Sequence, residues 1–247
     1  MPAPSKSYDP QAVVQPEVFR TPTWMRYFSL FATLALAVVA GIMVGFAIVL
    51  VFAGAWALAA LCAAVGVFLA ALTGYVLRDL RGRWGLRVEL MADRMELDLP
   101  SGRSLIHRPP NQHLTIPYAD VEAVETRFEA YPSLGMQSVQ RPFVLSLKAG
   151  DKIFLFEDRA LGSAFATPMY EPIANAIVER AHVPLRELGM VEGSGGFLSV
   201  WGAHSPDWAA PSLPLEQQLR IWRQAAWTGS LALGIVFLAV IIKAAGY

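Results

Sequence analysis

Residues 27–77 read YFSLFATLALAVVAGIMVGFAIVLVFAGAWALAALCAAVGVFLAALTGYVL, with no Asp, Glu, Lys, Arg or His among them. A single helix over this stretch would run about 75 Å at 1.5 Å per residue. A bilayer's hydrocarbon is about 30 Å thick and takes about 20 residues. The stretch therefore predicts two crossings with a tight reversal. Gly54, within Phe52-Ala53-Gly54-Ala55-Trp56, interrupts two Ala/Val/Leu runs and marks the turn. A first helix is expected near 28–52 and a second near 56–77, so residues 27–77 form a transmembrane hairpin. The run begins too late and is too long for a cleaved signal peptide.

A third uncharged run covers residues 225–242, bounded by Arg223 and Lys243. Trp222 and Trp227 sit at one end, as in an aromatic belt, and Lys243 could snorkel to the far interface. A C-terminal transmembrane helix is expected within 225–247. Orientation follows from the flanks. Lys6, Arg20 and Arg26 precede the first helix, Arg78, Arg81, Arg83 and Arg87 follow the second, and Arg220 and Arg223 precede the third. The hairpin turn carries no positive charge. The positive-inside rule then places the tail 1–26 and residues 78–224 in the cytoplasm and the C-terminus on the opposite side.

Composition agrees with a membrane protein. The 247 residues are 55% hydrophobic and only 16% charged, against about 25% charged in an average soluble domain. Mean hydropathy is +0.41. Twenty basic residues balance twenty acidic ones, so charge points to no nucleic-acid partner. The one cysteine, Cys62, excludes an intrachain disulfide and reads as a buried structural residue.

Between the membrane segments, residues 84–185 show short alternating runs separated by turn signals. Strands are expected at 86–90, 95–99, 104–106, 114–116, 121–125, 143–147 and 153–156. Ala149-Gly150-Asp151 marks a hairpin. Ile173, Ala176, Ile177 and Ala181 then recur at helical spacing, predicting one amphipathic helix that closes the domain. The result is an α+β chain: three transmembrane helices and a cytoplasmic antiparallel β domain closed by a helix. The domain spans 78–187, and residues 188–224 are a linker with an amphipathic segment.

The step Ile116-Pro117-Tyr118-Ala119-Asp120-Val121, the strand pair around Gly150, the closing helix and the membrane hairpin ahead of the domain resemble bacterial pleckstrin-homology-like membrane proteins. The resemblance covers about residues 84–185. It implies a binding architecture and, for a bacterial protein, the inner (cytoplasmic) membrane. The first hairpin loop, Met91-Ala92-Asp93-Arg94, lacks the clustered basic residues with which phosphoinositide-binding relatives capture inositol phosphates. Fold alone does not give function.

No spacing nominates chemistry. His107 and His113 flank a Pro-Pro-Asn turn and read as surface histidines, and no metal-ligand pattern surrounds them. Gly193-Ser194-Gly195-Gly196 lacks the Lys-Ser/Thr of a phosphate loop. The acidic residues are explained by alternation on exposed strand faces. Catalytic, metal and cofactor sites are therefore not expected, and the chain reads as a non-enzyme. The first two membrane helices lack the ionisable residues that mark ion pathways.

Three groups of residues are candidates for binding. Small residues recur along the helices: Ala37, Gly41 and Gly45; Gly66, Ala70 and Gly74; and Ser230 and Gly234. Such faces let helices approach closely, within this hairpin or against another membrane protein. Arg78, Arg81, Arg83 and Arg87 form a basic collar that could meet anionic lipid headgroups, each giving roughly 1 kcal/mol. Two segments carry apolar groups that need cover: 131–142, with Tyr131, Leu134 and Met136, and 188–212, with Phe197, Trp201 and Trp208. Their own domain, the membrane interface or a partner could supply it. The expected role is a scaffold, assembly factor or accessory subunit that binds membrane lipids and another membrane protein. Its rivals are a homo-oligomer that binds anionic lipid through the collar, and a membrane-anchored enzyme whose site is built from residues distant in sequence.

Overall fold

The computed structural model describes residues 16–104, 106–133, 136–159, 169–193, 206–227 and 230. After a short strand β1 (Glu17–Arg20), helix α1 (Thr23–Phe52) and helix α2 (Trp56–Gly85) form an antiparallel hairpin. Both are long and apolar enough to cross a membrane, and most of their surface is exposed. A core helix would bury such side chains, but Phe52 is 87% exposed. The turn falls where the glycine predicts it. Gly54 adopts φ 75°, a left-handed conformation that suits glycine, and its N–H donates to the Val51 carbonyl. The Ala55 N–H reaches the Leu50 carbonyl, which completes a Schellman cap.

The helices meet along a seam of mostly small residues at seven-residue spacing. Thr33, Ala40 and Ala47 are buried on α1, and Ala59, Gly66 and Leu80 on α2. A Cβ on Gly66 would lie 2.9 Å from Val44 Cγ2 and 3.3 Å from the Val44 amide nitrogen. Close approach of this kind is how small residues stabilise helix pairs in lipid. Hydroxyls within the pair are satisfied locally: Thr33 donates to the Ser29 carbonyl and Thr73 to the Leu69 carbonyl.

Helix α2 extends eight residues past Leu77. The end of the apolar run marks the end of the lipid-like stretch, not of the helix, and Asp79 and Arg83 pair at i, i+4 over the last turns. From Gly85 the chain passes directly into the domain. Strands β2 (Arg87–Leu90), β3 (Arg94–Leu99) and β4 (Gln112–Pro117) continue an antiparallel sheet in the order β1-β2-β3-β4. Arg20 of β1 lies opposite Arg87 of β2, so the helical hairpin is an insertion between two paired strands. A second sheet contains β5 (Val121–Ser133), β6 (Met136–Leu147), β7 (Lys152–Arg159) and β8 (Leu185–Glu192), in the order β7-β6-β5-β8. Helix α3 (Glu171–Ala181) precedes β8.

The two sheets and α3 share one core. Alternation turns Val88, Leu90, Met95, Leu97 and Leu99 inward, where they meet Phe143, Leu145, Leu155 and Phe156, and Ile173 and Ile177 of α3. The N-terminus of α3 is held from a distance: Asp158 accepts N–H bonds from Met169, Tyr170 and Glu171. A second cluster forms where a further helix, α4 (215–227), lies on the outer half of the second sheet. Its Ile221 and Ala225 pack with Ala130, Val139 and Met190, and Trp222 meets Phe128 edge-on.

Several expectations differ from what is seen. Of residues 131–142, read as a loop, 131–133 and 136–142 are paired strand, with Tyr131 opposite Ser138. Ser104 follows a 3-10 turn at Ser101–Arg103, and the expected strand over 104–106 is absent among the described residues there. The helix does not end the domain: β8 follows it to Glu192, beyond the expected boundary at 187, and pairs parallel with β5 while every other described strand pair is antiparallel. Residues 225–227 and 230 are helical, and the rest of the third apolar run lies outside the described residues.

Candidate functional site

Along β5, alternation puts Val124, Phe128 and Ala130 on the packed side and Glu125, Arg127, Glu129 and Tyr131 on the other. Four polar side chains on one strand face suggest solvent, yet Glu129 is 0% and Arg127 2% exposed. Their cover comes from far along the chain. Arg127 donates to Glu129 Oε1 at 2.8 Å and to the carbonyls of Asp207 and Pro206 at 2.7 and 2.8 Å. Its guanidinium lies 4.1 Å from the centre of the Trp208 ring. The other Glu129 oxygen accepts from the Tyr131 hydroxyl at 2.6 Å and meets His107 Nε2 at 2.6 Å. The Trp208 indole N–H donates to Glu125 Oε2, which also accepts from Lys152 at 2.6 Å.

The electrostatics follow from these partners. Burial disfavours the Glu129 carboxylate, but His107, Tyr131 and Arg127 outweigh it and hold its pKa below the usual range. Burial likewise opposes Glu125, and Lys152 and Trp208 turn its shift downward. Burial and the adjacent Glu129 charge push the Tyr131 phenol upward. The cluster thus holds an ionised carboxylate, a cation and a phenol in a closed arrangement. It clamps residues 206–208 across the sheet. His107, expected on the surface, belongs to it and packs against Phe154 at 4.7 Å between ring centres. Among the described residues, no group of three or more His, Cys, Asp or Glu is arranged to hold a metal ion.

The second candidate region is the base of the hairpin. A Cβ on Gly82 would overlap the Gly102 carbonyl and lie 2.8 Å from the Arg103 amide nitrogen. Arg78 donates to the carbonyls of Ser101 and Ser104 at 3.3 and 3.2 Å. Arg83 donates to Asp79 at 2.6 Å, and Arg87 pairs with Glu89. Only Arg81 of the four collar arginines is exposed. Arg103, which composition did not single out, is buried with its N–H groups donated to Phe154, Leu99, Pro100 and Pro110 carbonyls and to the Gln112 side chain. Burial lowers its pKa to about 10. Trp84 donates to the Arg26 carbonyl at 3.4 Å and meets Tyr27 edge-on, which ties the feet of the helices together.

The remaining candidates fall as follows. Gly66 lies in the α1–α2 seam. Gly41, Gly45 and Gly74 have no described atom within 4 Å of an added Cβ, and Ala37 and Ala70 are exposed. Tyr131 and Trp208 belong to the buried cluster. Met136 opens β6, and Ser230 bonds the Ala226 carbonyl at 3.0 Å. Leu134, Phe197, Trp201 and Gly234 lie outside the described residues. The buried cluster had a signal in the sequence, the Glu-x-Arg-x-Glu-x-Tyr alternation at 125–131, but its partners sit up to 80 or more positions away. No protein-family model, curated protein or solved structure matches the chain.

Proposed function

We propose that this chain is a non-enzymatic integral membrane protein that serves as a scaffold, assembly factor or accessory subunit of a bacterial inner-membrane complex. In this reading it crosses the membrane three times, with a pleckstrin-homology-like domain in the cytoplasm and the C-terminus in the periplasm. The observation that carries the proposal is a division between two small-residue faces. One, through Ala40, Ala47, Ala59 and Gly66, closes the chain's own hairpin. The other, through Ala37, Gly41 and Gly45, is turned outward with no described atom against its glycines. An outward face of this kind suits close packing with a helix of another membrane protein. The cluster richest in acid and base groups spends its hydrogen bonds on holding residues 206–208, which fits a binding role better than turnover.

Purification in mild detergent followed by mass spectrometry tests the proposal. A stoichiometric membrane partner, lost in a Gly41→Leu/Gly45→Leu variant that still folds, is the expected result. A homo-oligomer with no partner would sink it. The second reading, anionic-lipid binding through the collar, rests on exposed Arg81. It is weakened because Arg78, Arg83 and Arg87 already bond within the chain. If binding to anionic vesicles falls with Arg81→Gln, and falls further when all four arginines become glutamine, the collar reading gains.

A further inference from the structure

The seat of α2 on the domain also sets how close the domain comes to the bilayer. The uncharged run ends at Leu77, and Arg78 is the first charged residue of α2 beyond it. Trp84 lies about 9 Å further along the helix axis. With Trp24 and Tyr27 it is exposed, as an interfacial belt would be. The headgroup zone of one leaflet is about 5–8 Å thick, so residues 78–84 span it. The 3-10 turn Ser101–Arg103 lies against this stretch: a Cβ on Gly102 would overlap the Arg78 carbonyl. Ser104 then ties the next residues to the same depth. Its carbonyl accepts from Arg78 at 3.2 Å, and its hydroxyl accepts from the Ile106 and His107 amides at 3.2 and 2.9 Å. Segment 106–111 is thereby held beside the hairpin at headgroup level. We infer that Arg78 and Arg108 hold the phosphate of an anionic phospholipid between them.

The inference rests on the reading that the collar meets anionic lipid, and it names a site that pairs one collar residue with an arginine outside the collar. Three observations carry it. First, the bonds from Arg78 to the Ser101 and Ser104 carbonyls both come from Nη2, so they orient a guanidinium that stays partly exposed. Second, Arg108 is exposed and near enough for its charge to act on that of Arg78. Glu157, which accepts from the Ser104 hydroxyl at 2.7 Å, is the carboxylate that also acts on Arg78. Two guanidinium groups against one carboxylate leave a positive balance, and guanidinium N–H groups match phosphate oxygens. Third, Arg108 has φ 48°, a left-handed conformation that a side chain disfavours, and it precedes Pro109, which disfavours it further. Backbone strain of this kind gathers at ligand clamps.

Lipid titration of the full chain tests this. The chain, purified in a mild neutral detergent, receives dioleoyl phosphatidylglycerol, and bound lipid is counted by native mass spectrometry. The expected result is a tightly held phosphatidylglycerol whose affinity falls about five-fold or more in Arg108→Gln. Arg108→Gly, which suits the left-handed backbone, should lose the lipid equally while keeping the wild-type thermal midpoint. Unchanged affinity in both Arg108 variants, with a fall in Arg81→Gln, overturns the inference and leaves the collar reading standing. No fall in any of the three overturns both. Equal falls in Arg81→Gln and Arg108→Gln would show a diffuse field in place of a clamp and overturn the inference. Inorganic phosphate that binds as tightly as the lipid would overturn the membrane as the source of the phosphate.

Discussion

Gly82 and Gly102 meet backbone to backbone: a Cβ on Gly82 would overlap the Gly102 carbonyl, and a Cβ on Gly102 would lie 2.9 Å from the Gly82 amide nitrogen. The last turns of α2 are thereby seated on the 3-10 turn of the domain, with Leu86 immediately buried in the core. Backbone atoms cannot move aside as a flexible side chain can. Gly82→Ala and Gly102→Ala are each expected to fall at the upper end of the roughly 1–3 kcal/mol cost of overpacking. Thermal unfolding of the whole chain in detergent should drop by about 2–4 °C per kcal/mol. An unchanged midpoint in both variants would mean that the seat is soft.

Removing the cation from the β5 cluster should be costly. Arg127→Leu leaves the Glu129 carboxylate buried with only His107 and Tyr131, and breaking a buried pair in this way costs about 3–5 kcal/mol. The same change frees the carbonyls of Pro206 and Asp207, so protease cleavage within 206–214 should accelerate. Arg127→Lys keeps the charge but not the fork, and should lie between the two. Cleavage at the wild-type rate in Arg127→Leu would show that other contacts hold the segment.

Two buried carboxylates act on acid stability with opposite sign. Glu129 has a depressed pKa, so its contribution is present above the ordinary carboxylate range and is lost as pH falls through its folded value. For Asp158, burial outweighs three backbone N–H bonds and raises the pKa from 3.8 to about 6. The folded chain then holds that proton more tightly than the unfolded chain. The stabilisation is complete below 3.8 and is lost as pH rises through about 6, on the order of 3 kcal/mol. Asp158→Asn should flatten the stability profile between pH 4.5 and 7. A slope equal to that of wild type would remove Asp158 as its source.

The two helix faces should respond differently to bulk. Gly66→Leu drives a side chain into Val44 and should lower the thermal midpoint by several degrees. Gly45→Leu meets no described atom and should leave the midpoint within about 1 °C, as surface changes usually do. Equal losses in the two variants would contradict the packing of this hairpin.

The hairpin was legible because absence of charge over 27–77 has few physical explanations, and the turn because Gly54 stands alone between apolar runs. The alternating core strands from Arg87 to Leu99 and the stripe of α3 were legible for the same reason: one face of each is apolar. Two strands were not. In β1, Glu17 and Arg20 flank only two apolar residues, and the partner that makes it a strand, β2, lies beyond the whole hairpin. In β8, Gly189 at φ 78° breaks the alternation to admit Ser212. The polar face of β5 was misread because charges ordinarily belong at the surface. Its burial depends on His107 and on Pro206 to Trp208, and local pattern carries no information about pairs so far apart.

The insertion of the helical hairpin between β1 and β2 has a consequence for how the chain is made. Residue 20 leaves the ribosome well before residue 87, its partner across the sheet, and both helices lie between them. At 5–20 residues per second the interval is roughly 3–13 s. During it, β1 has no neighbour to pair with, and the first sheet cannot close until α2 has been synthesised and its foot has come back beside that of α1. Completion of the domain is thus tied by chain order to completion of the hairpin. A copy whose second helix fails to return would keep an unpaired strand edge, the kind of surface by which quality control and aggregation recognise unfinished proteins.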